Sequence, residues 1–325
     1  MTIDFINIKN FKSIIDLTIE KPGNFLVFVG ANASGKSNIL EALEFANSIF
    51  KLGDEAISLF GGIGEIKNFN LSKNPFSFKL GNYNDYIEIK ESVDDYNKST
   101  LSSLRSNSLS SSKTSPFSQF TENFSKIFYG EAQHVKFNIN DDSKLSLDCE
   151  NLEKVLERLI FESEIRDEII EILQTLVPGF KDIEIVKNEL SKGKSILVYE
   201  EYTQKPFSGN LISDGTYKIL TLLTAVFQTN EPQFLCIEEP ENGLNPKAIK
   251  ELVNFFREQC KTYGHFIWLS THSQSLVNSL YPEEIIIVDK KEGQTVIKQI
   301  NELNLHGLKL DEAWLSNVLG GGIPW

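Results

Sequence analysis

Eight consecutive residues constrain this chain more than any others: Gly30-Ala31-Asn32-Ala33-Ser34-Gly35-Lys36-Ser37. They lie between a continuous apolar run, Phe25 to Val29, and a segment in which Ile39, Leu43, Ala46 and Phe50 recur at spacings of four, three and four. The uninterrupted apolar run suits a strand buried on both faces, and the second spacing lays one apolar stripe along a helix packed on a sheet. A glycine turn of the form GxxxxGK[ST] between such a strand and helix is a phosphate cradle. Its glycines let backbone N–H groups curl around an anion, the helix N-terminus adds a positive dipole end, the lysine reaches β and γ oxygens, and the hydroxyl holds Mg²⁺. Gly30, Asn32, Ala33, Ser34, Gly35, Lys36 and Ser37 are therefore expected to bind the phosphates of ATP, with Ser37 also on the metal.

Three downstream segments carry further chemistry. Phe234-Leu235-Cys236-Ile237-Glu238-Glu239 is an apolar run ending in two acids, as expected of a buried strand that emerges beside phosphates. In that setting Glu238 supports Mg²⁺ and Glu239 positions the attacking water. Many strands also end in solvated carboxylates, so the run gains meaning only from the phosphate loop upstream. Leu211-Ile212-Ser213-Asp214-Gly215-Thr216 precedes an apolar helical stretch, Tyr217 to Phe227. Ser213 is either an ordinary helix N-cap or part of a helix tip that offers N–H donors to an anion, with Asp214 and Gly215 beside it. Trp268-Leu269-Ser270-Thr271-His272-Ser273 sets a histidine directly after a buried strand. A lone histidine is commonly structural, but one at a strand's C-terminal end in an α/β sheet faces the ligand edge.

The rest of the chain reads as a predominantly α/β protein. Ile3 to Ile8 and Ile14 to Ile19 alternate like strands, and Ile63 to Val93 looks like irregular strands and turns. Ser99 to Ser118 is serine-rich and is expected to be a mobile loop. Leu152 to Leu176 has helical spacing and ends at Pro178-Gly179, and strands resume from Ile183. The formal net charge of -13 excludes a protein coated in basic patches, although a local Lys/Arg stripe could still touch nucleic acid. Three separated cysteines, Cys149, Cys236 and Cys260, form no CxxC pair and suit reduced thiols of a cytoplasmic protein. The N-terminus has no signal-peptide pattern, and the longest apolar stretch, Ile219 to Phe227, is too short for a membrane span.

The order NFKSI, GANASGKS, LISDGT, IEEPENGLNP, LSTHS resembles the ABC-type ATPases of the SMC, RecF and OLD-like branch, over residues from about 1 to 60 and 205 to 290. The resemblance implies an ABC-type ATPase head with a mixed N-terminal β lobe, a mostly parallel P-loop sheet and a helical insertion. The expected division is 1–95 for the N-terminal lobe, 96–121 for the serine-rich loop, 122–205 for an insertion arm, 206–300 for the C-terminal lobe and 301–325 for a docking tail. By the same likeness Lys12 and Ser13 contact the nucleotide, while Ser213, Asp214 and Gly215 occupy the signature that caps the γ-phosphate of an opposite protomer. Glu241 to Pro246 looks like the loop that crosses the dimer, and His272 like the switch histidine that joins Lys36 and Glu239 in catalysis. Several positions depart from the family. Glu238 stands where aspartate is usual, the signature reads SDGT rather than SGG, Asn245 replaces a histidine, and Gln133 is the candidate for the Q-loop.

The resemblance implies a head-to-tail homodimer closed by ATP and opened by hydrolysis, and it leaves a higher assembly open. Too few residues follow His272 for the Toprim nuclease of many OLD-like relatives, so the expected output is control of a separate effector, a nuclease or toxin, in nucleic-acid-linked anti-phage defence. A RecF-like role in repair or recombination is the alternative, and a non-hydrolysing nucleotide-gated scaffold a second. The tail, with Trp314 and Trp325, either docks a partner or folds back on its own core.

Overall fold

A computed structural model describes residues 3–71, 73–82, 84–93, 99–105, 116–128, 143–187, 193–300, 309–319 and 321. The chain starts with an antiparallel hairpin, β1 (Phe5–Phe11) and β2 (Ile14–Glu20), and continues into β3 (Phe25–Val29), buried at every position. Next comes α1 (Lys36–Leu52), in which Ile39, Leu43 and Ala46 are fully buried. Two short helices, α2 (Glu55–Leu59) and α3 (Ile63–Ile66), precede three antiparallel strands, β4 (Ser77–Gly81), β5 (Tyr86–Val93) and β6 (Ser99–Arg105). These extend the hairpin into a five-stranded sheet ordered β2-β1-β4-β5-β6. After α4 (Pro116–Glu122) and β7 (Phe124–Phe128) come α5 (Leu152–Phe161) and α6 (Ser163–Leu176). A small antiparallel sheet follows, made of β8 (Phe180–Lys187), β9 (Lys194–Glu200) and β10 (Phe207–Ser208). The last part runs α7 (Asp214–Phe227), β11 (Phe234–Glu238), α8 (Pro246–Tyr263), β12 (Phe266–Thr271), α9 (Gln274–Val277), β13 (Ile285–Lys291), β14 (Gln294–Gln299) and α10 (Leu310–Leu315).

The principal sheet is ordered β14-β13-β3-β12-β11-β7, parallel throughout except for the β13–β14 hairpin. Because side chains alternate across a strand, its apolar runs feed two cores. Val27, Leu235, Ile237, Ile267 and Leu269 face the helices α5 to α8. Leu26, Phe28, Phe234, Cys236, Phe266 and Trp268 face α1 and the antiparallel sheet. On that second face Trp268 lies 4.8 Å from the Phe234 ring and 5.8 Å from Phe28, a packed aromatic cluster. The three cysteines are buried free thiols. No helix among the described residues is long and apolar enough to cross a membrane.

Several expectations need correction. The serine-rich run is not a loop where it is described: Ser99–Arg105 is an edge strand on β5, and Pro116–Glu122 is a helix. An edge strand needs a backbone partner more than apolar side chains, and here Leu101 alone is buried among Leu101 to Leu104. Phe117 and Phe120, three apart on α4, are buried, and Phe120 stacks 5.5 Å from Phe78. The segment expected as an arm from residue 122 begins with β7, which joins the principal sheet beside β11. Its helices α5 and α6 pack into the core against α7 rather than projecting. For the tail, the fold-back alternative holds in the described part and docking does not: Trp314 is fully buried and donates from Nε1 to Gly321 O at 3.0 Å. Trp325 and Gln133 lie outside the described residues.

Candidate nucleotide site

Parallel register decides what meets at the sheet's edge. Glu238 pairs with Ser270, and Thr271 with Val29, so β11, β12 and β3 end at one level. The phosphate loop, the two acids and His272 leave those strands side by side, where α/β sheets bind ligands.

The loop is shaped by close approach. Gly35 has φ 106, and a Cβ there would stand 1.9 Å from Thr295 Oγ1, so glycine is required both by conformation and by space. A Cβ on Gly30 would meet Val288 O at 2.2 Å. Ala33 takes φ 63, and Asn32 and Ala33 are exposed at the turn. Gly35 begins α1 with no side-chain cap and no acid in the first turn, which leaves its first N–H groups to an outside acceptor. Lys36 Nζ donates to Gly30 O and Ala31 O, both at 2.9 Å, holding the ammonium over the loop. Burial lowers its pKa, opposed by the nearby Glu239, Glu241 and Glu238. The buried Ser34 Oγ has no protein partner.

Ser37 Oγ donates to Glu238 Oε2 at 2.5 Å. These are hard oxygen donors of the kind Mg²⁺ takes. The uncapped helix end, the orphan hydroxyl and this oxygen pair fit a Mg²⁺-bound phosphate chain. Glu238 Oε1 is held by Lys126 Nζ of β7 at 2.9 Å, and Lys126 also reaches Glu44 Oε2 of α1 at 3.1 Å. Burial alone would lower the Lys126 pKa, but Glu44 and Glu238 outweigh it and raise it.

Glu239 is pinned on every side. Its backbone adopts φ 48, its N–H donates to Ser270 O at 3.0 Å, and its carbonyl accepts from Lys218 Nζ of α7 at 2.8 Å. Its carboxylate accepts from His272 Nδ1 at 3.0 Å and from Asn242 Nδ2 at 2.9 Å. Behind it the buried Glu241 accepts from Thr271 Oγ1, and its second oxygen has no partner. Burial raises the Glu241 pKa against that hydrogen bond, and burial lowers Lys218 to about 8 against the pull of Glu241 and Glu239.

Lys12 is ion-paired with Glu41 of α1, and Ser13 Oγ accepts from Asn38 Nδ2 at 2.6 Å and shares a hydrogen bond with Thr295 Oγ1 at 2.6 Å. Both expected contact residues thus lie against the first turns of α1, beside the loop. Ser213 caps α7: its Oγ accepts from Thr216 N at 3.2 Å. Ser213 and Asp214 are exposed, and among the described residues Ser213 bonds its own helix and no phosphate-loop residue. A Cβ on Gly215 would come within 3.0 Å of Gly243 O, so α7 lies tight against the turn after Glu239. The structure therefore gathers Lys36, Ser37, Glu238, Glu239 and His272 and leaves the 213–215 tip facing outward. Lys126, Lys218 and Thr295 join the site without a sequence motif to announce them, while Glu241, Asn242 and Thr271, which lie in the segments singled out above, take up contacts there that their motifs did not assign.

Comparison with known proteins bears on the family and the fold. The family model described as "AAA domain, putative AbiEii toxin, Type IV TA system" matches residues 25–278. The energy-coupling factor transporter ATP-binding protein EcfA1 of Methanospirillum hungatei is 33% identical over 100 residues, 30% of this chain and 34% of that protein. The DNA replication and repair protein RecF of Glaesserella parasuis is 33% identical over 79 residues, 21% of this chain and 22% of that protein. The chromosome partition protein Smc of Methanocaldococcus jannaschii is 47% identical over 45 residues, 14% of this chain and 4% of that protein. The chain thus spans well under two thirds of the length of these relatives. Among solved structures, an SMC head bound to the C-terminal winged-helix domain of ScpA aligns with a TM-score of 0.61 at 17% identity, covering 96% of this chain and all of that one. The Pyrococcus furiosus SMC head with an extended coiled coil, bound to the C-terminal domain of ScpA, aligns with a TM-score of 0.57 at 17% identity, covering 98% of each chain. The chain belongs to the AAA-domain P-loop ATPase family whose model matches residues 25–278, and it has the fold of an SMC head.

Proposed function

We propose that this chain hydrolyses ATP at the site just described, that two copies close head to tail around two nucleotides, and that the cycle controls a separate effector, a nuclease or toxin, in nucleic-acid-linked anti-phage defence. The observation that carries the hydrolytic reading is the Glu239 carboxylate, held between His272 at 3.0 Å and Asn242 at 2.9 Å one residue beyond the Glu238–Ser37 pair. A carboxylate oriented in this way accepts a hydrogen bond from water and aims it at a phosphorus atom. Ser37 and Glu238 would hold Mg²⁺, which neutralises phosphate charge when bound. Lys36 exchanges the Gly30 and Ala31 carbonyls for phosphate oxygens, and the open N–H groups of the loop and of α1 take the rest of the anion. His272, touching Glu239, couples the position of that carboxylate to the γ-phosphate. Lys12 and Ser13, against the first turns of α1, contact the nucleotide beside the loop.

Dimerisation rests on the tip of α7. Ser213, Asp214 and Gly215 present a helix N-terminus outward, a feature that serves an anion brought by a second molecule. Lys218 and Gly215 tie that helix to the turn after Glu239, so engagement of the tip bears on the catalytic loop of the same chain. The effector reading draws on the family description, which names a toxin, and on SMC heads solved with a bound ScpA domain.

The test is Glu239→Gln with ATP and Mg²⁺. The variant is expected to bind ATP, to lose turnover by about a hundredfold or more, and to sediment as a stable dimer. Retained turnover would remove Glu239 from the chemistry, a wild type without turnover would make the protein a nucleotide-gated scaffold, and an ATP-loaded variant that stays monomeric would end the composite-site reading.

A further inference from the structure

Glu238 stands where most ATPases of this type carry aspartate, and the structure gives the longer arm a second anchor. We propose that Lys126 is a positioning residue that sets Glu238 for Mg²⁺. The inference rests on the reading of this site as a Mg²⁺-nucleotide site and adds a residue that no motif contains.

The geometry begins with register. Lys126 of β7 pairs directly with Cys236 of β11, so its side chain shares a face with Cys236 and with Glu238 two residues on. That face is the one covered by α1. Lys126 Nζ meets Glu238 Oε1 at 2.9 Å, while Glu238 Oε2 takes the Ser37 hydroxyl at 2.5 Å. The two oxygens of one carboxylate are thus divided, one to a fixed cation and one to the metal side. The same ammonium takes Glu44 Oε2 at 3.1 Å, and Glu44 lies two turns beyond Ser37 on α1. Lys126 therefore locks the strand that carries one candidate metal ligand to the helix that carries the other. Its side chain is only 10% exposed and that of Glu238 8%, so these charge-assisted bonds act with little competition from water.

Glutamate has one more rotatable bond than aspartate. Without the ammonium, Glu238 could swing its carboxylate between α1 and the sheet, and Oε2 would no longer be preset toward Ser37. A purely electrostatic role predicts the reverse outcome, because an ammonium beside a dication repels it and its removal would tighten metal binding. The sign of the effect separates the two ideas.

The experiment measures binding of a fluorescent ATP analogue while Mg²⁺ is titrated, with the analogue in EDTA as the metal-free reference. Lys126→Met is expected to raise the Mg²⁺ midpoint about tenfold, the scale of a lost outer-shell partner, and to leave metal-free affinity within about twofold. Lys126→Arg, which keeps the charge, is expected to recover most of the shift. Lys126→Met leaves Glu44 and Glu238 facing each other, so Lys126→Met/Glu44→Gln removes the stranded charge and is expected to show the same rise in a better-folded background. Glu238→Asp should weaken Mg²⁺ in the native background but add little once Lys126 is Met, since the shorter arm has then lost nothing further. An unchanged or lowered midpoint, or strictly additive effects of Lys126→Met and Glu238→Asp, overturns the role of Lys126. A wild type that binds no analogue at any Mg²⁺ concentration overturns the site reading beneath it.

Discussion

Glu239 is a non-glycine residue at φ 48, a conformation with a steric cost that survives here because Ser270, Lys218, His272 and Asn242 each hold one of its polar groups. Such over-determination suits a carboxylate that must stay aimed while its ligand comes and goes. A second residue, remote from the chemistry, reports on folding. His265 is buried and its Nδ1 accepts from Gln233 N at 3.1 Å, and burial pushes its pKa from 6.5 down to about 4. The unfolded chain takes up a proton below about 6.5, whereas the folded chain refuses it until about 4, so stability is full above that window and falls through it. Between pH 7 and pH 5 this residue is expected to cost about 2 kcal/mol. Denaturant unfolding of His265→Gln at the two pH values should show a correspondingly smaller loss than the wild type, and equal losses would assign the effect elsewhere. At this scale the sequence made Lys36, Ser37, Glu238, Glu239 and His272 legible, because each sits inside or directly after a local pattern. Lys126, Lys218 and Thr295 were not legible, because their partners are 112, 21 and 282 residues away and proximity comes only from strand order and helix packing.

Among elements, α7 does two jobs with one end. Ser213 satisfies the helix's own N–H at Thr216 while remaining exposed, so a capping role and an interface role are superimposed. Ser213→Asp separates them. Aspartate caps as well as serine and suits the helix dipole, so stability is expected to stay within about 1 kcal/mol. The added negative charge at the tip should nevertheless abolish ATP-dependent association, because it would face a phosphate. Sedimentation beside thermal melting reads both, and a dimer that survives the substitution would place the tip outside the interface. The elements misread from sequence share one cause. β6 and α4 are short and carry few apolar residues, so their own patterns are weak: β6 is held by its backbone pairing with β5, and Phe120 of α4 is buried against Phe78 on a strand some forty residues earlier.

For the whole molecule, the proposed dimer makes a prediction that no single chain can fulfil. In a head-to-tail pair each site takes its cradle from one copy and its helix tip from the other. Lys36→Ala destroys a chain's own cradle but leaves its tip intact, and Ser213→Arg does the opposite. Each variant alone should be inactive. An equimolar mixture should regain roughly a quarter of wild-type turnover, since half of random pairs are mixed and each mixed pair keeps one intact site. A mixture as inactive as its components, with both variants folded, would show that each site works from one chain.

The sequence by itself determined the chemistry of the loop and the alternation of buried strands, because a phosphate cradle and a two-faced parallel strand are local patterns of a few residues. Strand order, β14-β13-β3-β12-β11-β7, was decided only by the tertiary structure. It brings Glu238, Glu239 and His272 to the end of β3, and it sets β7 beside β11 so that a lysine from an otherwise ordinary strand reaches the acid at that strand's end. The reason is physical: periodicity records which face of an element is buried, while the identity of the element that covers it depends on packing between residues hundreds of positions apart.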